Sequence, residues 1–173
     1  MAPDEGESSM QPVARSMHVD AAEAHPVSEL LACPPETGIL LTASAQSLSF
    51  DIGQAIFRQG CVCEGLYLVV SGQLQRRTER LDTRVVLGTA RPGDLVELAA
   101  ALGDSIHTFS LIAQTQGSML FLPIGCLREA FQSYPPLRMK LLEELAREVS
   151  RGYRSSSLSK VVRTRRSPQP NLI

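Results

Sequence analysis

Between residues 47 and 123 the chain is cut into short apolar runs, each closed by a glycine or a polar turn, and within the runs the hydrophobic period falls toward two. That texture constrains the fold more than any other feature. A period of two sends alternate side chains to opposite faces of a pleated strand, and glycine permits the reversals between strands. The segments 54–59, 66–71, 73–79, 84–90, 107–113 and 118–123 each read as a strand, with turns at Gly60, at Gly72, in the sequences RLD and RPGD, and in TQG. So many short strands in one small unit call for a sandwich, barrel or jelly roll, architectures that leave few unpaired edges.

Helical texture frames this region. The stretch 27–35, VSELLACPP, reads as a short helix stopped by Pro34 and Pro35, and 36–43, ETGILLTA, as a further helical turn. After Pro123, IGCLREAFQS predicts a short helix and PPLRMKLLEELAREVSRGY a long one that opens on prolines. The long helix carries Leu137, Leu141, Leu142, Leu145 and Val149 at spacings of three and four, a stripe suited to its own roll or to a second copy of the chain. Homodimerisation through this helix is therefore expected, although Gly152 interrupts the seam.

With 173 residues, 43% of them hydrophobic, the chain has material for one core with tails to spare. Residues 1–26 are polar and aperiodic and are expected to be a disordered tail; 27–153 form the domain; 154–173, rich in arginine, are expected to be a basic flexible tail. A formal net charge of -1 supplies no overall field toward nucleic acid or anionic membranes. No apolar run is long enough to span a bilayer and no secretory signal opens the chain, so a cytoplasmic protein with no membrane partner is expected. In that compartment Cys33, Cys61, Cys63 and Cys126 read as reduced thiols. The lone Cys-x-Cys pair lacks the spacing of a zinc site, and no metal is expected.

The sequence 53–77, GQAIFRQGCVCEGLYLVVSGQLQRR, closely resembles the opening strands of cyclic nucleotide-binding domains, particularly those of the Crp/Fnr regulators, through Gly53, Ile56, Phe57, Gly60, Leu66, Tyr67, Val69, Gly72 and Leu74. The likeness continues through 86–102, VLGTARPGDLVELAAAL, and into the helices after Pro123. It implies a mainly β fold with flanking helices: a jelly roll followed by a long C-terminal helix. It also implies a ligand, cyclic AMP or cyclic GMP, held in a cassette where a Gly-Glu-Leu turn opens a short helix and an Arg-(Ser/Thr)-Ala segment follows. In that cassette the Glu takes the ribose hydroxyl and the Arg neutralises the phosphate. On this chain the cassette falls on Val96, Glu97, Leu98, His107 and Thr108, with Phe109 in the place of the small Ala.

The departures have chemical consequences. Val96 replaces a glycine whose backbone could approach a ligand closely. His107 replaces a planar, permanently charged guanidinium, and an ordinary imidazole with a pKa of about 6.5 is mostly neutral near pH 7. Losing a charge-assisted contact costs about 1.5 to 3 kcal/mol. The expectation is a regulatory or sensor domain, non-catalytic, with weak or altered ligand binding. His107 is the one histidine in the strand region, and no nucleophile–base pair or phosphate-cradling loop is recognisable. Relatives that regulate transcription continue into a helix-turn-helix domain. The residues after the long helix hold too little apolar sequence for one, so direct sequence-specific DNA reading is not expected. Two alternatives stay open: a Crp/Fnr-type fragment acting through a partner or the basic tail, and a cysteine-based redox sensor in which Cys61 and Cys63 lie in a turn and Cys126 begins a helix.

Overall fold

The computed structural model describes the backbone of residues 17–18, 24–80 and 83–164, and the side chains of 27–78 and 84–151. In chain order the elements are β1 (Met17–His18), α1 (Ala24–Leu30), α2 (Pro35–Ala43), β2 (Gln46–Phe50), β3 (Ala55–Phe57), β4 (Gly65–Ser71), β5 (Leu74–Arg80), β6 (Thr83–Ala90), β7 (Leu95–Val96), α3 (Leu98–Leu102), β8 (Ser110–Ala113), β9 (Gly117–Pro123), α4 (Ile124–Ser133) and α5 (Pro136–Thr164). The strands form two sheets, ordered β1-β2-β9-β4-β7 and β3-β8-β5-β6, with every pairing antiparallel. This is the jelly roll with a long C-terminal helix that the strand texture and the resemblance implied.

Strand β4 explains why LYLVV is continuously apolar rather than alternating. Leu66 and Leu68 face an aliphatic core built with α1, α2, α4 and α5, while Tyr67 and Val69 face the interior of the roll. Central position in the larger sheet, between β9 and β7, buries both faces. Leu66, Leu122 and Leu127 are fully enclosed on the helix side, and burying each contributes about 1.5–3 kcal/mol. Gly60 and Gly72 adopt φ of +82° and +83° at the reversals where the sequence placed them. At Gly72 a Cβ would also meet the Gln116 carbonyl oxygen at 2.7 Å, so both conformation and space demand glycine.

Several boundaries differ from expectation, each for a local reason. Pro35 opens α2 instead of merely ending α1, because a proline in the first helical turn gives up no hydrogen bond. Residues 107–109 are not part of β8; His107 pairs instead with the loop after β3, donating its N–H to the Cys61 carbonyl at 2.8 Å. Met17–His18 pairs with the edge of β2, a two-residue strand too short to show an apolar period. The remainder of 1–23, the RLD turn at 81–82 and residues 165–173 lie outside the described residues. Helix α5 continues to Thr164, through Gly152 and into the stretch assigned to a tail. One glycine in a helix costs about 1 kcal/mol and does not by itself end it.

The apolar stripe of α5 divides into two. Leu137 and Leu141 are buried against the domain and Leu145 is partly buried there, while Met139, Leu142 and Val149 are exposed. No helix among the described residues is long and apolar enough to cross a membrane.

Candidate functional site

Strand β7 hydrogen-bonds to β4, pairing Val96 with Tyr67, and thereby delivers Glu97 to the rim of the roll. There the chain turns through a left-handed residue, but the residue is Glu97 itself, at φ +73°, and not Val96. Such a conformation costs about 1–2 kcal/mol for a residue with a Cβ, and its result is to point the carboxylate inward. Glu97 precedes α3, yet its side chain makes no capping bond; it is 3% exposed. A simple capping role for this carboxylate is thereby set aside.

A second ladder places its neighbours. Gly60 donates to the His107 carbonyl, His107 to that of Cys61, and Cys63 to that of Ser105, at 2.8–2.9 Å, with Val62 bridged to Ile106. The ladder turns Cys63 and His107 into the same interior, 1% and 3% exposed. The His107 ring lies flat on Phe57, with centroids 3.8 Å apart and planes within 4°. Its Nδ1 is 3.4 Å from Glu97 Oε1, within ion-pair range, although neither carboxylate oxygen nor Nδ1 finds a hydrogen bond of good geometry. The Cys63 thiol donates to the Gly65 carbonyl at 3.1 Å.

Burial pulls the imidazole toward its neutral form, but the Cys63 and Glu97 side chains beside it outweigh burial and raise its pKa from 6.5 to about 9. Its Nδ1 is directed at Glu97, within the protein. The Tyr67 hydroxyl nearby is also pushed upward, by burial first and then by Cys63, Glu64 and Glu97.

The five expected cassette residues thus separate. Glu97 and His107 come together in the roll. Val96 packs into the roll core and Leu98 into the helix-side core. Thr108 is exposed, so it does not join the buried pair. Phe109 does face inward, tilted against Phe57 at 5.8 Å.

Two participants escaped sequence reasoning. Cys63 could have been found by running the β4 alternation backwards, since 63, 65, 67 and 69 share a face. Arg76 could have been found by running the β5 alternation forward from the buried Leu74. Its guanidinium lies 5.9 Å from the Phe109 ring and 3.8 Å from Glu148 of α5, with Nε buried and lacking a hydrogen-bond partner. Arg76, Phe109, Leu87, Leu141 and Glu148 line a groove of about 1150 Å³ between the roll and α5, to which neither Glu97 nor His107 contributes.

The thiols do not assemble into a reactive pair. All four are free; Cys63 and Cys126 are buried, Cys33 is partly buried and Cys61 is exposed. Burial pushes the Cys33 and Cys126 thiols up, away from the thiolate form that a redox sensor needs. Cys126 opens α4, but its sulfur lies 3.4 Å from the Leu40 carbonyl and is covered.

Comparison with known proteins agrees with this architecture. No curated protein sequence matches the chain. The structure superposes on a cyclic nucleotide-binding domain from Methylobacillus flagellatus KT with a TM-score of 0.71 at 15% identity, covering 96% of each chain. The Thermus thermophilus catabolite activator protein gives 0.65 at 24% identity over 73% of this chain, which spans 60% of that protein's length. The sensor domain of the transcriptional regulator DNR from Pseudomonas aeruginosa gives 0.63 at 18%, covering 88% of this chain and 94% of that one. Residues 47–134 match the sequence profile of the cyclic nucleotide-binding domain, and the chain belongs to that family.

Proposed function

We propose that this chain is a non-catalytic regulatory sensor domain whose cassette no longer clamps a cyclic phosphate and whose output is the packing of α5. One observation carries the proposal: the side chain in the phosphate-neutralising position, His107, is buried, stacked on Phe57 and directed at Glu97. To grip a ligand it would have to leave both partners, and Glu97 would have to give up its ion pair to reach a ribose hydroxyl. The aromatic wall of Phe57, Tyr67 and Phe109 occupies the same interior.

The groove between the roll and α5 supports a different place for a small-molecule ligand. An anionic group there would meet Arg76, and apolar bulk would meet Phe109 and Leu87. An occupant would compete with Glu148 for the guanidinium and so alter how α5 sits, acting only through its different affinity for the two packings. The outward face of α5, with Met139, Leu142 and Val149 exposed, is the surface through which two copies would pair and pass the change on.

Calorimetric titration with cyclic AMP and cyclic GMP tests the proposal, using the native chain and His107→Arg. The native chain is expected to show no binding at micromolar nucleotide. Micromolar affinity in the native chain would overturn it. Binding restored by the arginine would show that the missing cation is the main lesion, and continued absence that the aromatic wall also excludes the nucleotide.

A further inference from the structure

The geometry points to a metal site at the cluster of Cys63, Glu97 and His107, built for a divalent transition ion of the zinc type. The three residues come from separate segments: the loop before β4, the left-handed turn before α3 and the ladder before β8. One thiol sulfur, one carboxylate oxygen and one ring nitrogen lie within 4.8 Å of one another, and all three residues are buried. Tetrahedral zinc, with bonds of about 2.0–2.3 Å, holds its ligand atoms about 3.3–3.6 Å apart. The Nδ1–Oε1 separation is already 3.4 Å, inside that range, and the three ligand atoms lie within 4.8 Å of one another, so a small local contraction would complete the set.

A second observation is independent of this proximity. Both oxygens of Glu97 and Nδ1 of His107 are buried without a hydrogen bond of good geometry, although each residue is 97% or more enclosed. Native interiors rarely leave such atoms unmatched, and an ion is one of the few partners that could satisfy all of them at once. A pairing of imidazole and carboxylate alone leaves the second carboxylate oxygen unmatched. A thiolate and a carboxylate together carry two negative charges and balance a dication in a dry interior. The set of one sulfur, one nitrogen and one oxygen suits zinc or cobalt better than magnesium or calcium, which take oxygen donors. Binding requires the thiol to give up its proton and the coordinating ring nitrogen to be free of one, without change of oxidation state. Three protein donors leave one tetrahedral position for water or a small ligand.

The site also makes sense of the Cys-x-Cys pair. Cys61 is exposed and Cys63 buried, so the two do not act together. Cys63 finds its partners at Glu97 and His107, too far along the chain for any spacing motif to reveal.

The test uses the full chain, stripped with a chelator and titrated with Co²⁺ and then Zn²⁺. The expected result is one Co²⁺ per chain, with a thiolate-to-cobalt charge-transfer band in the near ultraviolet and the strong visible absorption of a tetrahedral ion, both abolished by Zn²⁺. C61S should retain the band and C63S should lose it. Absence of the band from the native chain at stoichiometric Co²⁺ would overturn the site, whatever the variants do. A band lost in C61S and kept in C63S would overturn it as well. No cyclic nucleotide enters this experiment, so its failure leaves the proposed function standing, and the converse holds.

Discussion

The two faces of β4 look into different interiors. On one side Leu66 and Leu68 join a buried cluster of aliphatic side chains and the Cys126 thiol; on the other, Tyr67 and Val69 join aromatic rings that surround the buried pair of Glu97 and His107. The helix side can be understood from apolar burial alone. The roll side contains features that burial does not explain: a left-handed glutamate, a histidine flat against a phenylalanine, and polar atoms without hydrogen bonds. Such features mark a place to look for function, so the contrast separates a half of the domain that burial explains from a half that burial does not.

Substitutions can break or sharpen this contrast. The largest effect is expected from splitting the buried pair: in metal-free protein, Glu97→Leu alone should cost about 3–5 kcal/mol, because it leaves the partner's charge uncompensated. Next comes Leu66→Ala on the helix side, expected to cost about 2–5 kcal/mol for a fully buried leucine. Replacing both members of the pair, Glu97→Leu with His107→Phe, should fall within about 1 kcal/mol of the native protein or above it, since well-packed apolar groups often match or exceed a buried ion pair. Urea unfolding of the three variants, with chelator present, measures all of this. A double variant as unstable as Glu97→Leu would mean that the roll side also depends on its polar groups for the fold.

The smallest effect concerns Glu148, where α5 meets Arg76. Burial raises its pKa, and Asp94, Glu144 and Glu97 add to the rise against the opposing pull of Arg76. A carboxyl raised in the folded state contributes stability while it is protonated, below the unfolded value of about 4.3, and loses it as pH climbs through the folded value. Native protein should therefore lose a little stability across that acidic window, and Glu148→Gln should not. Parallel pH slopes for the two proteins would show that Glu148 is not held in this way.

How far each region could be read from the sequence follows the same division. The reversals at Gly60 and Gly72 were legible because only glycine takes that backbone cheaply, and the strands because alternation reports burial directly. The joining of Glu97 and His107 was legible only by resemblance, which paired them as a ligand clamp; that they face each other is a property of the closed roll. Cys63 was hidden because its partners are remote in sequence. The split stripe of α5 was hidden because helical spacing locates apolar residues without saying which neighbour covers them: Leu141 is buried and Leu142, the next residue, is exposed.

Everything about the cassette depends on where the ring of His107 lies. The most direct measurement is proton NMR of the native chain at neutral pH, with and without saturating cyclic AMP, following nuclear Overhauser contacts between the His107 and Phe57 rings. The account predicts strong contacts and ring-current-shifted imidazole protons that cyclic AMP leaves unchanged. Loss of those contacts on adding the nucleotide, with the imidazole moving to it, would contradict the account.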